Sequence, residues 1–109
     1  MASTYKVLGQ SAPSATTNTD VYTVPSDRES VISTIVIANR AATAGTFRLA
    51  VRPNGAAIAD QHYLAYDVPI AANDSTTLTL GITVDATDVI TFYASSASMS
   101  VNVFGSEIS

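Results

Sequence analysis

Glu29-Ser30-Val31-Ile32-Ser33-Thr34-Ile35-Val36-Ile37-Ala38-Asn39-Arg40, then Ala41-Ala42-Thr43-Ala44-Gly45, then Thr46-Phe47-Arg48-Leu49-Ala50-Val51-Arg52-Pro53: this run decides the fold class. Its first arm, Val31 to Ala38, is crowded with β-branched residues. Its second arm alternates, with Phe47, Leu49 and Val51 on one side and Arg48, Ala50 and Arg52 on the other. Side chains of a pleated strand point alternately to opposite faces, so a period of two in such residues predicts strands with one buried face. The short loop of small residues between the arms ends at Gly45, a residue free to take backbone angles that others resist. The run therefore predicts a long β-hairpin with further strands laid beside it.

Working outward, Thr4 to Gln10 reads as a weak first strand, and Thr19 to Val24 as a second, stopped by Pro25. Between them, Ser11 to Asn18 has little to bury and a proline inside it, as a linker or surface crossing has. After the central run, Pro53-Asn54-Gly55 is a turn signal. Ala56 to Asp60 has room for one helical turn before a strand at Gln61 to Asp67, which Pro69 ends. Ser75 to Leu80 alternates with Leu78 and Leu80 inward and continues through a bend at Gly81 to Val84. Asp85 to Asp88 is a turn whose carboxylates can bind their own backbone, followed by strands at Val89 to Ala94 and Met99 to Phe104. No segment has helical periodicity. About eight short strands at this spacing predict an all-β fold, a two-sheet antiparallel β-sandwich of jelly-roll or immunoglobulin-like type. Within it, residues 1–18 read as an N-terminal strand or arm with its linker and residues 19–109 as the sandwich body. Phe47 and Phe104 are the expected large core side chains. Tyr22-Thr23-Val24-Pro25 and Tyr66-Asp67-Val68-Pro69 share one pattern, read as two strand exits built with the same chemistry.

A chain of 109 residues makes one domain and buries roughly 65% of the surface its unfolded form exposes, so neither metal nor disulfide is needed to fold it. Cysteine is absent, which excludes thiol chemistry and leaves the redox compartment open. The net charge of −4 is scattered, and the five basic residues, Lys6, Arg28, Arg40, Arg48 and Arg52, never cluster into a patch that could track phosphates. Nucleic acid is therefore not an expected partner. Neither is a membrane, since no apolar run has the length of a span or of a signal-peptide core; synthesis in the cytoplasm is expected. Charged residues make up 13% of the chain, about half the usual share, and Ser, Thr, Asn and Ala take their place. Free monomers are normally kept apart by charge, so such a surface suits a life against other protein.

Catalytic constellations are hard to assemble from these residues. His62 is the single histidine, and no serine sits in a Gly-x-Ser-x-Gly elbow, so a nucleophile with its base is not expected. Asp60 with His62, and Asp85 with Asp88, fall short of the three convergent ligands a metal wants. The acids are scattered over loops rather than paired in a cleft, and no glycine-rich phosphate loop exists. The expectation is a protein that is not an enzyme, with no catalytic residue, metal or cofactor. There is no tryptophan, so a sugar-stacking platform would have to come from Tyr63, Tyr66 or Tyr93.

The segments Lys6-Val7-Leu8-Gly9-Gln10-Ser11-Ala12-Pro13, Tyr22-Thr23-Val24-Pro25, Ile37-Ala38-Asn39-Arg40, Phe47-Arg48-Leu49-Ala50-Val51-Arg52 and Phe104-Gly105-Ser106-Glu107-Ile108 together resemble small virion structural proteins of tailed bacteriophages, including cyanophages. The resemblance runs over nearly the whole chain as strand and turn patterns, without a motif tied to a site. It implies a particle component made in the host cytoplasm: a capsid decoration or cement protein, with a tail, baseplate or fibre accessory as the alternative. The implied partners are other virion proteins and further copies of the chain in a homo-oligomer. A small carbohydrate-binding module is a third possibility, and it requires an exposed aromatic cluster. Two surfaces follow as candidates. Tyr5, Val7 and Leu8 are the anchors of a first strand that could pair with a neighbour's sheet instead of its own, and Tyr63 and Tyr66 are candidates for a receptor or partner face.

Overall fold

The computed structural model describes residues 3–79 and 81–109. Nine strands lie among them: β1 (Ser3–Ser11), β2 (Thr19–Thr23), β3 (Glu29–Asn39), β4 (Gly45–Arg52), β5 (Tyr63–Ile70), β6 (Ser75–Leu78), β7 (Ile82–Val84), β8 (Val89–Ala94) and β9 (Met99–Ile108). They form two antiparallel sheets, a β-sandwich as the alternation predicts. The first sheet runs β1-β9-β3-β6, with β7 also on β3; the second runs β2-β8-β4-β5. Every pairing joins an early strand to a late one or flanks such a pair: β1 with β9, β2 with β8, β3 with β6 and β7, β4 with β5. The whole chain is thus one long hairpin, its tip at residues 53–62, rolled up so that successive rungs alternate between sheets. That is the jelly-roll order, and it decides between the two sandwich types the sequence left open.

The central run is not a hairpin. β3 and β4 lie in opposite sheets and make no ladder with each other. They form an arch over residues 40–44, with Ile32, Ile35 and Ile37 of β3 facing Phe47 and Leu49 of β4 across the core, all of them at most 1% exposed. Two amphipathic strands joined by a small-residue loop satisfy either geometry; the arch wins because it turns both apolar faces toward each other. Asn39 fastens it. Its side chain, 2% exposed, donates from Nδ2 to the carbonyls of Thr43, Ile70 and Ala71 and accepts the Ala41 N–H at Oδ1. Gly45 takes no positive φ; a Cβ there would lie 2.6 Å from the Met99 methyl, so a larger residue would push that side-chain end aside.

Phe47 stacks on Phe92 at the centre of the core, ring centroids 6.0 Å apart. Phe104 is not its counterpart. Val101 and Val103 take the inward positions of β9, and Phe104 is left half-buried on the outer face of the first sheet. The first strand pairs in cis: β1 is laid along β9 from Ser3 opposite Ile108 to Ser11 opposite Val101. This corrects the picture of an arm held off its own domain, because the main-chain ladder with β9 supplies what its few apolar side chains do not. A bulge between Val7 and Gly9 turns Leu8 toward the core, which removes it from the candidate assembly contacts, whereas Tyr5 and Val7 stay 85% and 46% exposed.

Two local expectations also shift. Asp60–His62 is a 3₁₀ turn, as is Pro53–Gly55, so Gln61 and His62 precede β5 instead of opening it. Pro69 sits inside β5 opposite Thr46, tolerated because β5 is an edge strand with one side free of ladder bonds. Gly81 does bend the chain, with φ +60°, and separates β6 from β7; Leu80, expected inward, lies outside the described residues. Among the described residues no helix is long and apolar enough to cross a membrane.

Candidate functional site

The outward face of the second sheet gathers the tyrosines that sequence singled out. Arg48 on β4 stands opposite Tyr93 on β8, and on its other side β5 is bulged: Val68 pairs with Phe47 and Ala65 with Leu49, leaving Tyr66 and Asp67 together opposite Arg48. Asp67 takes a positive φ of 52°, which aspartate tolerates better than most residues, and this places carboxylate and ring side by side. The Arg48 guanidinium lies 4.1 Å from the Tyr66 ring centroid and 4.3 Å from that of Tyr93. It donates from Nε to Asp67 Oδ1 at 2.7 Å and from a terminal nitrogen to Oδ2 at 3.4 Å. The bond to Asp67 raises the Arg48 pKa further above its ordinary value. Tyr63 meets Tyr66 edge to face with centroids 4.9 Å apart. The result is a row, Tyr93-Arg48-Tyr66-Tyr63, whose outermost ring, Tyr66, is 56% exposed although clamped on two sides.

Beside it a second polar group is closed on itself. Arg52 binds Asp20 at 2.7 Å, Thr91 Oγ1 at 3.0 Å and the carbonyls of Gly55 and Ala56, which ties the hairpin tip to β2 and β8. Asp88 accepts the Asn54 and Asp85 N–H groups, so the Asp85–Asp88 turn binds its own backbone and the tip together. His62 accepts the Ala59 N–H at Nδ1, inside its own turn.

At one end of the sandwich sits the most buried polar cluster, which sequence reading missed. Glu107, 5% exposed, accepts the Tyr22 hydroxyl at 2.7 Å and pairs with Lys6 at 2.9 Å, with Arg28 4.0 Å away. Because the Tyr22 proton goes to Glu107, Ser30 must donate to the Tyr22 oxygen, 2.6 Å off. Lys6 above all, then the Tyr22 bond, holds the Glu107 carboxyl below its ordinary range, while burial pushes Tyr22 up to about 12. The repeated Tyr-x-Val-Pro pattern therefore serves opposite purposes: Tyr22 is an interior latch and Tyr66 a surface ring. No signal in either segment distinguishes them, since the difference lies in which strands come to stand opposite.

Among the described residues, every buried side-chain nitrogen and oxygen has a hydrogen-bond partner, and no group of three or more His, Cys, Asp or Glu could hold a metal ion. On the outer face of the second sheet the Tyr66 ring stays open to solvent. In comparisons with known proteins, no family model matches the chain, and no curated protein or solved structure matches it either.

Proposed function

We propose that this chain is a structural binding protein of a bacteriophage particle, a capsid decoration protein that docks on other virion proteins through the outer face of its second sheet. The observation that carries the reading is the clamped row Tyr93-Arg48-Tyr66-Tyr63. A large, exposed ring already held in one orientation loses little freedom on binding, and Tyr and Arg are the residues that dominate protein interfaces. The low charge and the resemblance to virion proteins support the particle setting, and jelly rolls serve in viral capsids. They also serve in lectins, and the exposed Tyr66 ring, with half-buried Tyr63 against it, is the aromatic cluster that a glycan-binding reading requires; that is the second reading.

The test is occupancy of purified particles by the wild-type chain and by Tyr66→Ala. Docking on the capsid predicts many copies per particle by gel densitometry, and strongly reduced occupancy for the variant with an unchanged circular-dichroism spectrum. A handful of copies assigns the chain to the tail. Tyrosine-fluorescence titration with neutral oligosaccharides that responds in the wild type and not in Tyr66→Ala would favour the glycan reading.

A further inference from the structure

The outer face of the first sheet differs in kind from the face just described. Register and alternation place Tyr5, Val7 and Gln10 of β1 on it, with Ser100, Asn102, Phe104 and Ser106 of β9, Val31, Thr34, Val36 and Ala38 of β3, and Ser75, Thr77 and Thr83 of β6 and β7. No aspartate, glutamate, lysine, arginine or histidine stands among them. Charge appears only at the two ends of β3: Glu29, its first residue, and Arg40, just past its last. Both are exposed. Lys6, Arg28, Arg48 and Arg52 each meet a carboxylate of their own chain. Arg40 meets none within 4.0 Å among the described residues; Ser100 Oγ and the Ala97 carbonyl hold its guanidinium in place instead.

We propose that two copies of the chain associate face to face through this surface, about a twofold axis that lies in the sheet plane and runs across the strands. That axis keeps each strand over its own copy but reverses it, so Glu29 of one copy comes over Arg40 of the other, and the reverse at the opposite end. A twofold axis along the strands would set like charges over each other, and the charges reject it. The size fits: four strands by roughly ten residues make a face of about 20 by 33 Å, so two copies bury on the order of 1,300 Å², within the range of specific interfaces. Aligned packing of two such faces is an ordinary sheet-on-sheet contact.

Side-by-side growth of the sheet is the competing mode, and both edges oppose it. β1 carries Lys6 and is approached by β2, so closely that a Cβ on Gly9 would clash with the Val21 carbonyl oxygen. The other edge is broken into the short β6 and β7. Lysine, short strands and interruptions are how sheets avoid edge pairing. This inference deepens the proposed function by naming the surface through which copies meet, and it rests on that reading only for its biological setting.

Sedimentation equilibrium tests it with the full chain. The wild type is expected to be a dimer at micromolar concentration; R40E and E29R each weaken the dimer roughly tenfold or more, through two like-charge contacts per dimer. An equimolar mixture of R40E and E29R restores it, because in the mixed dimer both ends pair opposite charges. Thr34→Lys, at the centre of the face, gives a monomer with an unchanged circular-dichroism spectrum. A wild-type chain that stays monomeric at roughly millimolar concentration overturns the proposal, as does a mixture no tighter than either variant alone. A dimer that fails to occupy particles would instead sink the proposed function and leave this inference standing.

Discussion

The two outer faces of the sandwich are built from similar strands and treat charge in opposite ways. On the second sheet, Asp20, Arg48, Arg52 and Asp67 all point outward, and each is bound to a partner on the same face. Their role is internal: Arg52 ties down the hairpin tip, and Arg48 fixes the tilt of Tyr66. What that face presents is a ring on a rigid base, with polar surroundings. On the first sheet the outer-face charges, Glu29 and Arg40, stand at the two ends of β3, and among the described residues neither meets an opposite charge of its own chain. The difference teaches that in a chain this poor in charge, the placement of each ion is informative. An ion satisfied within its own chain braces the fold, and in the proposed dimer the two left over at the rim align the second copy.

The largest effect should separate inside from outside. Phe47→Ala, beneath the second sheet, is expected to cost about 3–5 kcal/mol in a urea titration through lost burial and a cavity. Phe104→Ala, on the outer face of the first, should cost under about 1 kcal/mol and weaken self-association instead. Equal destabilisation by both would erase the distinction between core and contact face.

Next come the buried polar groups, which belong to neither face. Asn39→Ala removes the donor for three carbonyls of the arch and should cost about 1–3 kcal/mol. Glu107→Gln should cost a similar amount, about 1–3 kcal/mol, because Tyr22 and Lys6 lose their ionic partner. The pH dependence has two arms. The folded Glu107 pKa is depressed, so its contribution is present above the ordinary carboxylate range and is lost as pH falls through the folded value. The folded Tyr22 pKa is raised to about 12 from an ordinary 10.0, so stability falls as pH rises between those values. Denaturant midpoints measured across pH should lose the acid arm in Glu107→Gln; a variant that keeps it would show that other carboxylates govern acid unfolding.

The smallest effect on stability should come from Tyr66→Ala, within about 0.5 kcal/mol, because an exposed ring contributes little to the folded monomer. Its consequence belongs to binding through the second sheet, with dimerisation through the first unchanged. Loss of dimerisation in this variant would mean that the two faces are not independent.

Much of this fold is legible in the residues themselves. Strand runs, turn signals at Pro53-Asn54-Gly55 and Asp85 to Asp88, and the inward positions of Phe47 and Leu49 follow from local periodicity and turn chemistry. These are short-range properties, decided by the pleat and by the angles a few residues allow. Pairing is a long-range property. Whether β3 meets β4 as a hairpin or as an arch, whether Tyr22 or Tyr66 is buried, and that Glu107 reaches Lys6 and Tyr22 from the far end of the chain are invisible to a local pattern. A strand's alternation says which face is apolar and leaves open which strand lies on either side. Only the rolled topology decides that, because one hairpin folded on itself brings residues some hundred positions apart to neighbouring rungs. The amino-acid order determined the strands and their inner faces; the tertiary structure decided their neighbours, and with them which ions are satisfied and which are left at the rim.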